Sequence, residues 1–299
     1  MQIFVLGMHR SGTSAVTRLM NLMGAHLGPE EVSSRANSGN QKGLWERRDV
    51  RDENDAVLWS SGADWWKVAD FGIDLVPNEA RKRFDSNVPK IVRELDAHRP
   101  WVVKDPRLCL LLPMWRRHAR KPVCVFVHRP PIQVAHSLQS HFGFPLAFGV
   151  ALWERYVIDE LAASSGLPRI VVSYQRLIDD PVDETDRLFT KLTDIGVNGL
   201  RRLSEAEIMS VVTADHCDHR QQDDKESSLL NSAQRALENA MASGRALDFV
   251  DVPTVSAPAE KVLRLYEAVC TLPTPSDTTS SSMHAVSERT EEAQYAHLS

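Results

Sequence analysis

The chain has 299 residues, of which 42% are hydrophobic, and its 35 Lys and Arg residues against 40 Asp and Glu residues give a formal charge of −5. This composition is typical of a globular protein with one large or two small domains, and it excludes a wholly disordered, collagenous or coiled-coil chain. The mild acidity argues against nucleic-acid binding through overall charge, although a local basic pocket is compatible with it.

The four cysteines have no CxxC spacing and are too few for a disulfide framework, so we expect reduced thiols and a cytoplasmic protein. The first residues, MQIFVLG, lack the basic leader and the longer apolar run of a secretory signal. The longest mostly apolar stretch, residues 144–153, is shorter than the ~20 residues that a membrane-spanning helix needs. We therefore expect no transmembrane segment.

The chain opens with a predicted strand, a glycine loop and a helix. Residues 3–6 form a β-rich run, and apolar residues at helical spacing follow from about Thr13. The sequence GMHRSGTS, residues 7–14, has the glycine spacing of a phosphate-binding loop, in which backbone N–H groups and a helix amino terminus bind an anion. Thr13 stands where a nucleoside triphosphatase has lysine. By itself the loop is equally compatible with a capped strand-to-helix turn.

Further strands are predicted at 101–104, 123–128 and 169–174, each a short apolar run without alternation. Helical stretches separate these strands, one of them near 47–60 after a polar insert at 30–45. This arrangement predicts an α/β fold, a three-layer sandwich with a mostly parallel central sheet.

The carboxy-terminal part is predicted to be helical, with helices over 184–196, 229–244 and 257–269. Residues 271–299 have too few large apolar side chains to offset the entropy of ordering, so we expect a disordered tail there. The resulting organisation is one domain over 1–270, with a core at 1–195 and a helical part at 196–270.

The third strand ends at Arg129, where a nucleoside triphosphatase would carry the carboxylate that binds magnesium. A loop that lacks both the usual lysine and this carboxylate should bind phosphate without transferring a γ-phosphoryl group. We therefore expect no metal ion in the site.

Four segments occur together in a fixed order: GMHRSGTSAVTRLM at 7–20, KDPRL at 104–108, VFVHRPPIQVAHSLQSHFG at 125–143 and VVSYQRLIDDP at 171–181. Their order and spacing resemble those of sulfotransferases that use 3′-phosphoadenosine 5′-phosphosulfate (PAPS). The likeness is greater to the bacterial and Golgi carbohydrate enzymes than to the cytosolic ones, and it covers residues 1–195. It implies PAPS as co-substrate.

The resemblance also implies which residues bind the nucleotide. Arg129 and Ser137 match an arginine and a serine, eight residues apart, that bind the 3′-phosphate. A guanidinium group forms charge-assisted bonds to phosphate, which suits this role. The first loop would grip the 5′-phosphosulfate through His9, Arg10, Ser11, Gly12, Thr13 and Ser14.

Sulfuryl transfer requires cations on the migrating group and a base for the acceptor hydroxyl. Arg10 and Lys104 are the candidate cations, since Lys104 ends a strand at the edge where open α/β sheets bind ligands. For the base we favour Glu46, which resembles the glutamate of the WE segment in related bacterial enzymes; an acid that simply begins a helix is the alternative. Asp105 and His9 are the competing bases.

The resemblance predicts sulfuryl transfer to a hydroxyl group of a carbohydrate or glycolipid. Trp45, Trp65 and Trp66 fall where the family often places acceptor contacts. Two other functions stay open from the sequence. An atypical nucleotide or sugar kinase would turn over ATP with magnesium, and a non-catalytic nucleotide-binding partner protein would bind the nucleotide without transferring a group.

Overall fold

The computed structural model describes residues 1–29, 45–212 and 227–271. Its centre is a sheet of four parallel strands in the order β2-β1-β3-β4. The strands are β1 (Gln2–Leu6), β2 (Trp101–Lys104), β3 (Pro122–His128) and β4 (Arg169–Ser173). The chain passes from β1 to β2 on one side and then to β3 on the other. The strand order therefore reverses around β1, which is where open α/β sheets bind ligands at the carboxyl ends of their strands.

Alternate side chains of the strands enter two separate cores. Ile3 and Val5 of β1 lie in a core on one face of the sheet, whereas Phe4 and Leu6 lie in a core on the other. Because both faces are covered, the strands are apolar between their ends and show no alternation of polar residues. The predicted three-layer α/β sandwich is confirmed.

Helices flank the sheet on both sides. The core that contains Phe4 and Leu6 receives side chains from the second to sixth helices and from the last two. The core that contains Ile3 and Val5 receives side chains from the first helix and from the seventh to ninth. Their bounds are α1 (Thr13–Leu22), α2 (Arg48–Ser60), α3 (Asn78–Asp96), α4 (Leu108–Trp115), α5 (Pro131–Phe142), α6 (Leu146–Ala163), α7 (Tyr174–Asp179), α8 (Pro181–Asp194), α9 (Glu205–Val211), α10 (Ser232–Ala242) and α11 (Ala257–Thr271).

Most of the predicted elements are found close to their predicted positions. The fourth strand is one residue shorter than predicted, because Tyr174 begins α7 instead of closing β4. The side chain of Ser173 caps this helix by accepting the backbone N–H of Arg176 at 3.3 Å. The helix predicted from residue 184 begins earlier, at Pro181, where Asp180 caps it and proline occupies its first turn.

Three predictions concern residues that the structure describes only in part. The predicted disordered tail lies outside the described residues, except for Thr271 at the end of α11. Residues 30–44 of the predicted polar insert are outside them as well. Among the helices of the described ranges, none combines the length with the apolar composition that a membrane span requires.

Candidate active site

The glycine loop follows β1 and closes tightly before α1. Gly12 has φ +89° and precedes the first residue of α1, and Arg10 has φ +71°, a left-handed conformation that costs energy in a residue with a side chain. The loop packs directly on Tyr174, since a Cβ atom on Gly12 would lie 2.1 Å from a ring carbon of that residue. Glycine is therefore required at position 12 for two reasons, its backbone conformation and the space available.

The remaining loop residues differ in their exposure. Ser11 and Thr13 are buried, whereas His9, Arg10 and Ser14 are half-buried. Ser11 donates its backbone N–H to the carbonyl of Met8 at 3.1 Å, which forms a turn inside the loop. The helix α1 begins immediately after this turn, at Thr13 and Ser14.

Arg10, Arg129 and Ser137 are brought together by this loop and the segment after β3. Arg10 Nε donates to Ser137 Oγ at 3.0 Å, and Arg129 Nη1 donates to the backbone carbonyl of Arg10 at 2.9 Å. The chain makes this possible because Pro130 is extended and α5 begins at Pro131, which turns Ser137 back toward the loop. Sequence spacing alone would have separated residues 129 and 137 by ~12 Å on one continuous helix.

Arg129 is held in place by two further contacts. Its Nε donates to Gln133 Oε1 at 3.3 Å, and its guanidinium carbon lies 4.8 Å from the centroid of the Tyr174 ring. Burial, and then the charge of Arg129, lower the pKa of Arg10. Two guanidinium groups this close repel each other, and an anion bound between them would relieve that repulsion.

Glu46 and Lys104 form a buried ion pair. Lys104 Nζ lies 2.5 Å from Glu46 Oε1, and the two side chains are 2% and 8% exposed. Lys104 ends β2, whereas Glu46 comes from the segment before α2. The next residue, Arg47, anchors that segment: it is buried, packs over Gly28, and forms ion pairs with Asp49 and Glu94.

Asp105 is engaged by its neighbour Arg107. The Asp105 carboxylate accepts the backbone N–H of Arg107 at 2.7 Å and lies 3.4 Å from its guanidinium, which also forms an ion pair with Asp55 at 2.5 Å. Burial opposes the charge of Arg107, but Asp105, Asp55 and Glu46 outweigh it and raise its pKa. Asp105 is completely buried, and its contacts hold Arg107 in place.

His9 lies against Trp65, with ring centroids 4.3 Å apart. Its Nε2 atom is buried and has no hydrogen-bond partner among the described residues. Burial, and then the positive charges of Arg107, Lys104 and Arg10, lower the pKa of His9 well below its ordinary value. The ring is therefore neutral near pH 7, and its low proton affinity makes it a weak base.

The three tryptophans of the sequence analysis do not form one group. Trp65 and Trp66 are buried in the core that contains Phe4, beside Phe144. Trp45 instead packs against the opposite core, with the guanidinium carbon of Arg18 4.2 Å from its ring centroid.

Comparisons with known proteins address the family of this chain. A family model described as "Sulfotransferase family" matches residues 2–194. The chain belongs to this family. The match covers nearly the whole segment, 1–195, that resembled sulfotransferases in sequence, and it confirms that this protein is a sulfotransferase enzyme. Among curated proteins none matches the chain.

Solved structures with detectable likeness to this sulfotransferase are distant. The sulfotransferase domain of the Synechococcus PCC 7002 olefin synthase is 15% identical over 91% of this chain and 95% of that one, with a TM-score of 0.40. Sulfotransferase STF9 of Mycobacterium avium is 16% identical over 85% and 78%, with a TM-score of 0.41. Sulfotransferase STF1 of Mycobacterium tuberculosis H37Rv is 19% identical over 72% and 71%, with a TM-score of 0.37.

Several contacts of this sulfotransferase were not foreseen from its sequence. Gln133 lies in the first turn of α5, four residues after Arg129, and follows no recognisable motif. Cys109 and Glu160 lie beneath the glycine loop, and neither belongs to a motif that predicts contact with it. Glu267 accepts the backbone N–H groups of Val68 and Ala69, a long-range contact that carries no local signal.

Proposed function

We propose that this sulfotransferase moves a sulfuryl group from PAPS to a hydroxyl group of a carbohydrate or glycolipid. The observation that carries the proposal is the contact among Arg10, Arg129 and Ser137 beside the glycine loop. It places two cations and a hydroxyl donor next to a helix amino terminus, at the carboxyl ends of β1 and β3. Such a set of donors suits a ligand with two separate phosphate groups better than a single triphosphate chain.

The two ends of the nucleotide would meet different parts of this set. The backbone of residues 9–14 and the hydroxyl groups of Thr13 and Ser14 would bind the 5′-phosphosulfate. Arg129 and Ser137 would bind the 3′-phosphate. Arg10 could contact both phosphate groups of the nucleotide. Its Nε donates to Ser137, and the guanidinium has further N–H donors in the same plane.

The transfer reaction would involve Glu46, Lys104 and Arg10. Glu46 would take the proton of the acceptor hydroxyl as the oxygen attacks sulfur. The bond between sulfur and the oxygen of the 5′-phosphate breaks as the new sulfur–oxygen bond forms, and 3′-phosphoadenosine 5′-phosphate (PAP) leaves. Lys104 and Arg10 would offset the negative charge that develops on the sulfuryl and phosphate oxygens.

The acceptor class rests on the greater likeness of the sequence to carbohydrate sulfotransferases. The proposal is tested by incubating the protein with PAPS labelled in its sulfuryl group and a panel of oligosaccharides, glycolipids and small phenols. Label on a sugar hydroxyl is the expected result. Label on phenols alone would contradict the acceptor class. Binding of PAP with no transfer to any acceptor would favour a non-catalytic protein, and magnesium-dependent turnover of ATP would favour a kinase.

A further inference from the structure

A buried chain of hydrogen bonds connects the glycine loop to α6. Gly7, the first residue of the loop, donates its backbone N–H to Cys109 Sγ at 3.2 Å. Cys109 donates its S–H in turn to Glu160 Oε2 at 3.1 Å. Cys109 is completely buried and Glu160 is 1% exposed. The loop thus rests on a thiol and a carboxyl group, in a place where apolar side chains would ordinarily fill the core.

Burial of Glu160 lowers the stability of the fold, which indicates that this residue has a function at the loop. A buried carboxyl group is destabilising in its charged form, and a hydrophobic residue at position 160 would avoid that cost. The carboxyl group is also only two hydrogen bonds from a loop that would bind anions. Its charge therefore acts on the same space as the charge of a bound phosphate.

We propose that Cys109 and Glu160 are positioning residues for the glycine loop, and that the charge state of Glu160 sets the affinity of the loop for the nucleotide. The inference rests on the proposed function, since it assumes that the loop binds a phosphate. Cys109 fixes the orientation of the Gly7 peptide. Neutral Glu160 supports that orientation without placing a negative charge beneath the bound anion.

The groups that face Glu160 make this effect accessible to measurement. Burial, together with the nearby Asp159, raises the pKa of Glu160 to about 8, although Cys109 opposes the shift. Burial raises the pKa of Cys109 on α4 well above its usual value and that of Cys124 on β3 to about 12. On α6 itself, burial raises the pKa of Tyr156 well above its usual value and also raises that of Asp159. Glu160 is thus the member of this cluster that changes charge between pH 7 and pH 9.

The raised pKa of Glu160 determines how PAP affinity changes with pH. At pH 7 Glu160 is mostly protonated and neutral, and at pH 9 it is mostly ionised. PAP keeps a constant charge in this range, because the second pKa of a phosphate ester is ~6. PAP affinity should therefore fall about five- to tenfold from pH 7 to pH 9, because ionised Glu160 adds a like charge beneath the bound anion in a protein environment.

The experiment is calorimetric titration of the full chain with PAP at pH 7 and pH 9. Wild type should show the fall in affinity, and Glu160→Gln, which is neutral at both values, should lose most of it. Asp159→Asn is the matched control, because it removes the adjacent acid and keeps Glu160. It should retain a fall in PAP affinity with pH, shifted toward lower pH because the charge of Asp159 no longer raises the pKa of Glu160. At pH 7, Cys109→Ser should bind PAP nearly as wild type, whereas Cys109→Ala should bind several-fold more weakly.

Each outcome decides between the inference and its alternatives. Equal pH dependence in wild type and Glu160→Gln overturns the inference, as does equal PAP affinity in the serine and alanine variants of Cys109. A wild-type protein that fails to bind PAP at pH 7 contradicts the proposed function itself, and the inference falls with it. Circular dichroism of each variant identifies one that fails to fold, and the Cys109 and Glu160 variants test the inference separately.

Discussion

Arg10 is the residue whose position differs most from what its sequence context indicates. Its place in the glycine loop indicates contact with the 5′ end of the nucleotide, but its Nε donates to Ser137, on the segment expected to bind the 3′-phosphate. Arg10 makes this contact to α5 from a backbone with positive φ. Residue types and their spacing thus identified Arg10 and Ser137 as candidate site residues. They did not predict that the two residues contact each other.

The contacts of individual residues also distinguish the three candidate bases. Asp105 is held by Arg107, and His9 has a low proton affinity. Glu46 pairs with Lys104, which could stabilise the charge that moves during transfer. The contacts of Glu46 and the charges around His9 come from distant segments, so sequence alone left the choice open.

Glu46→Gln should lower turnover by about 10²- to 10⁴-fold, the usual range for loss of a general base. PAP affinity should change far less than turnover, because Glu46 reaches the proposed nucleotide site only through Lys104. The measurement pairs labelled-sulfate turnover, on an acceptor found in the panel, with PAP calorimetry. Glu53→Gln on α2 is the control, since that side chain bonds to Asn87 and Arg83 instead. Turnover retained by Glu46→Gln would move the role to Asp105 or His9.

At the scale of elements, the strands were the most predictable part of the chain. Strands covered on both faces appear as short, uninterrupted apolar runs, and each of the four predicted runs is a strand. Helix α3 was not predicted, because Pro89 lies inside it and proline usually ends a helix. Its buried residues nevertheless recur at helical spacing, which is the signal that could have identified it: Phe84, Val88, Ile91, Val92 and Leu95.

The turn between β1 and α1 yields a prediction about glycine. Gly12→Ala adds a left-handed strain of about 1–2 kcal/mol and a clash with Tyr174. Gly62→Ala is a matched control, because Gly62 has φ +72° and a Cβ atom there meets nothing within 4 Å. We expect Gly12→Ala to lower the free energy of unfolding more than Gly62→Ala does, and to weaken PAP binding as well. Urea denaturation and calorimetry measure the two effects; equal stability loss and unchanged binding would show that the loop tolerates a side chain.

At the scale of the whole molecule, the site depends on segments beyond the region that matches the family. That region ends at residue 194, yet Glu267 of α11 accepts two backbone N–H groups of the Trp65–Ala69 segment. Glu154 of α6 likewise accepts the backbone N–H of Ser256, just before α11. The sequence predicted helices in this part but not what they contact, because partners about 100 to 200 residues apart leave no periodic pattern.

We propose that one pocket of this sulfotransferase recognises phosphate at both ends of an adenosine nucleotide. Its most direct test compares calorimetric affinities for PAP and for adenosine 5′-monophosphate in wild type and in Arg129→Ala. We predict that wild type binds PAP more tightly by about 10- to 150-fold, the equivalent of ~1.5–3 kcal/mol for a charged hydrogen bond. Arg129→Ala should remove most of that preference and leave the monophosphate affinity nearly unchanged. Equal affinities in wild type, or a preference that survives in Arg129→Ala, would contradict the account.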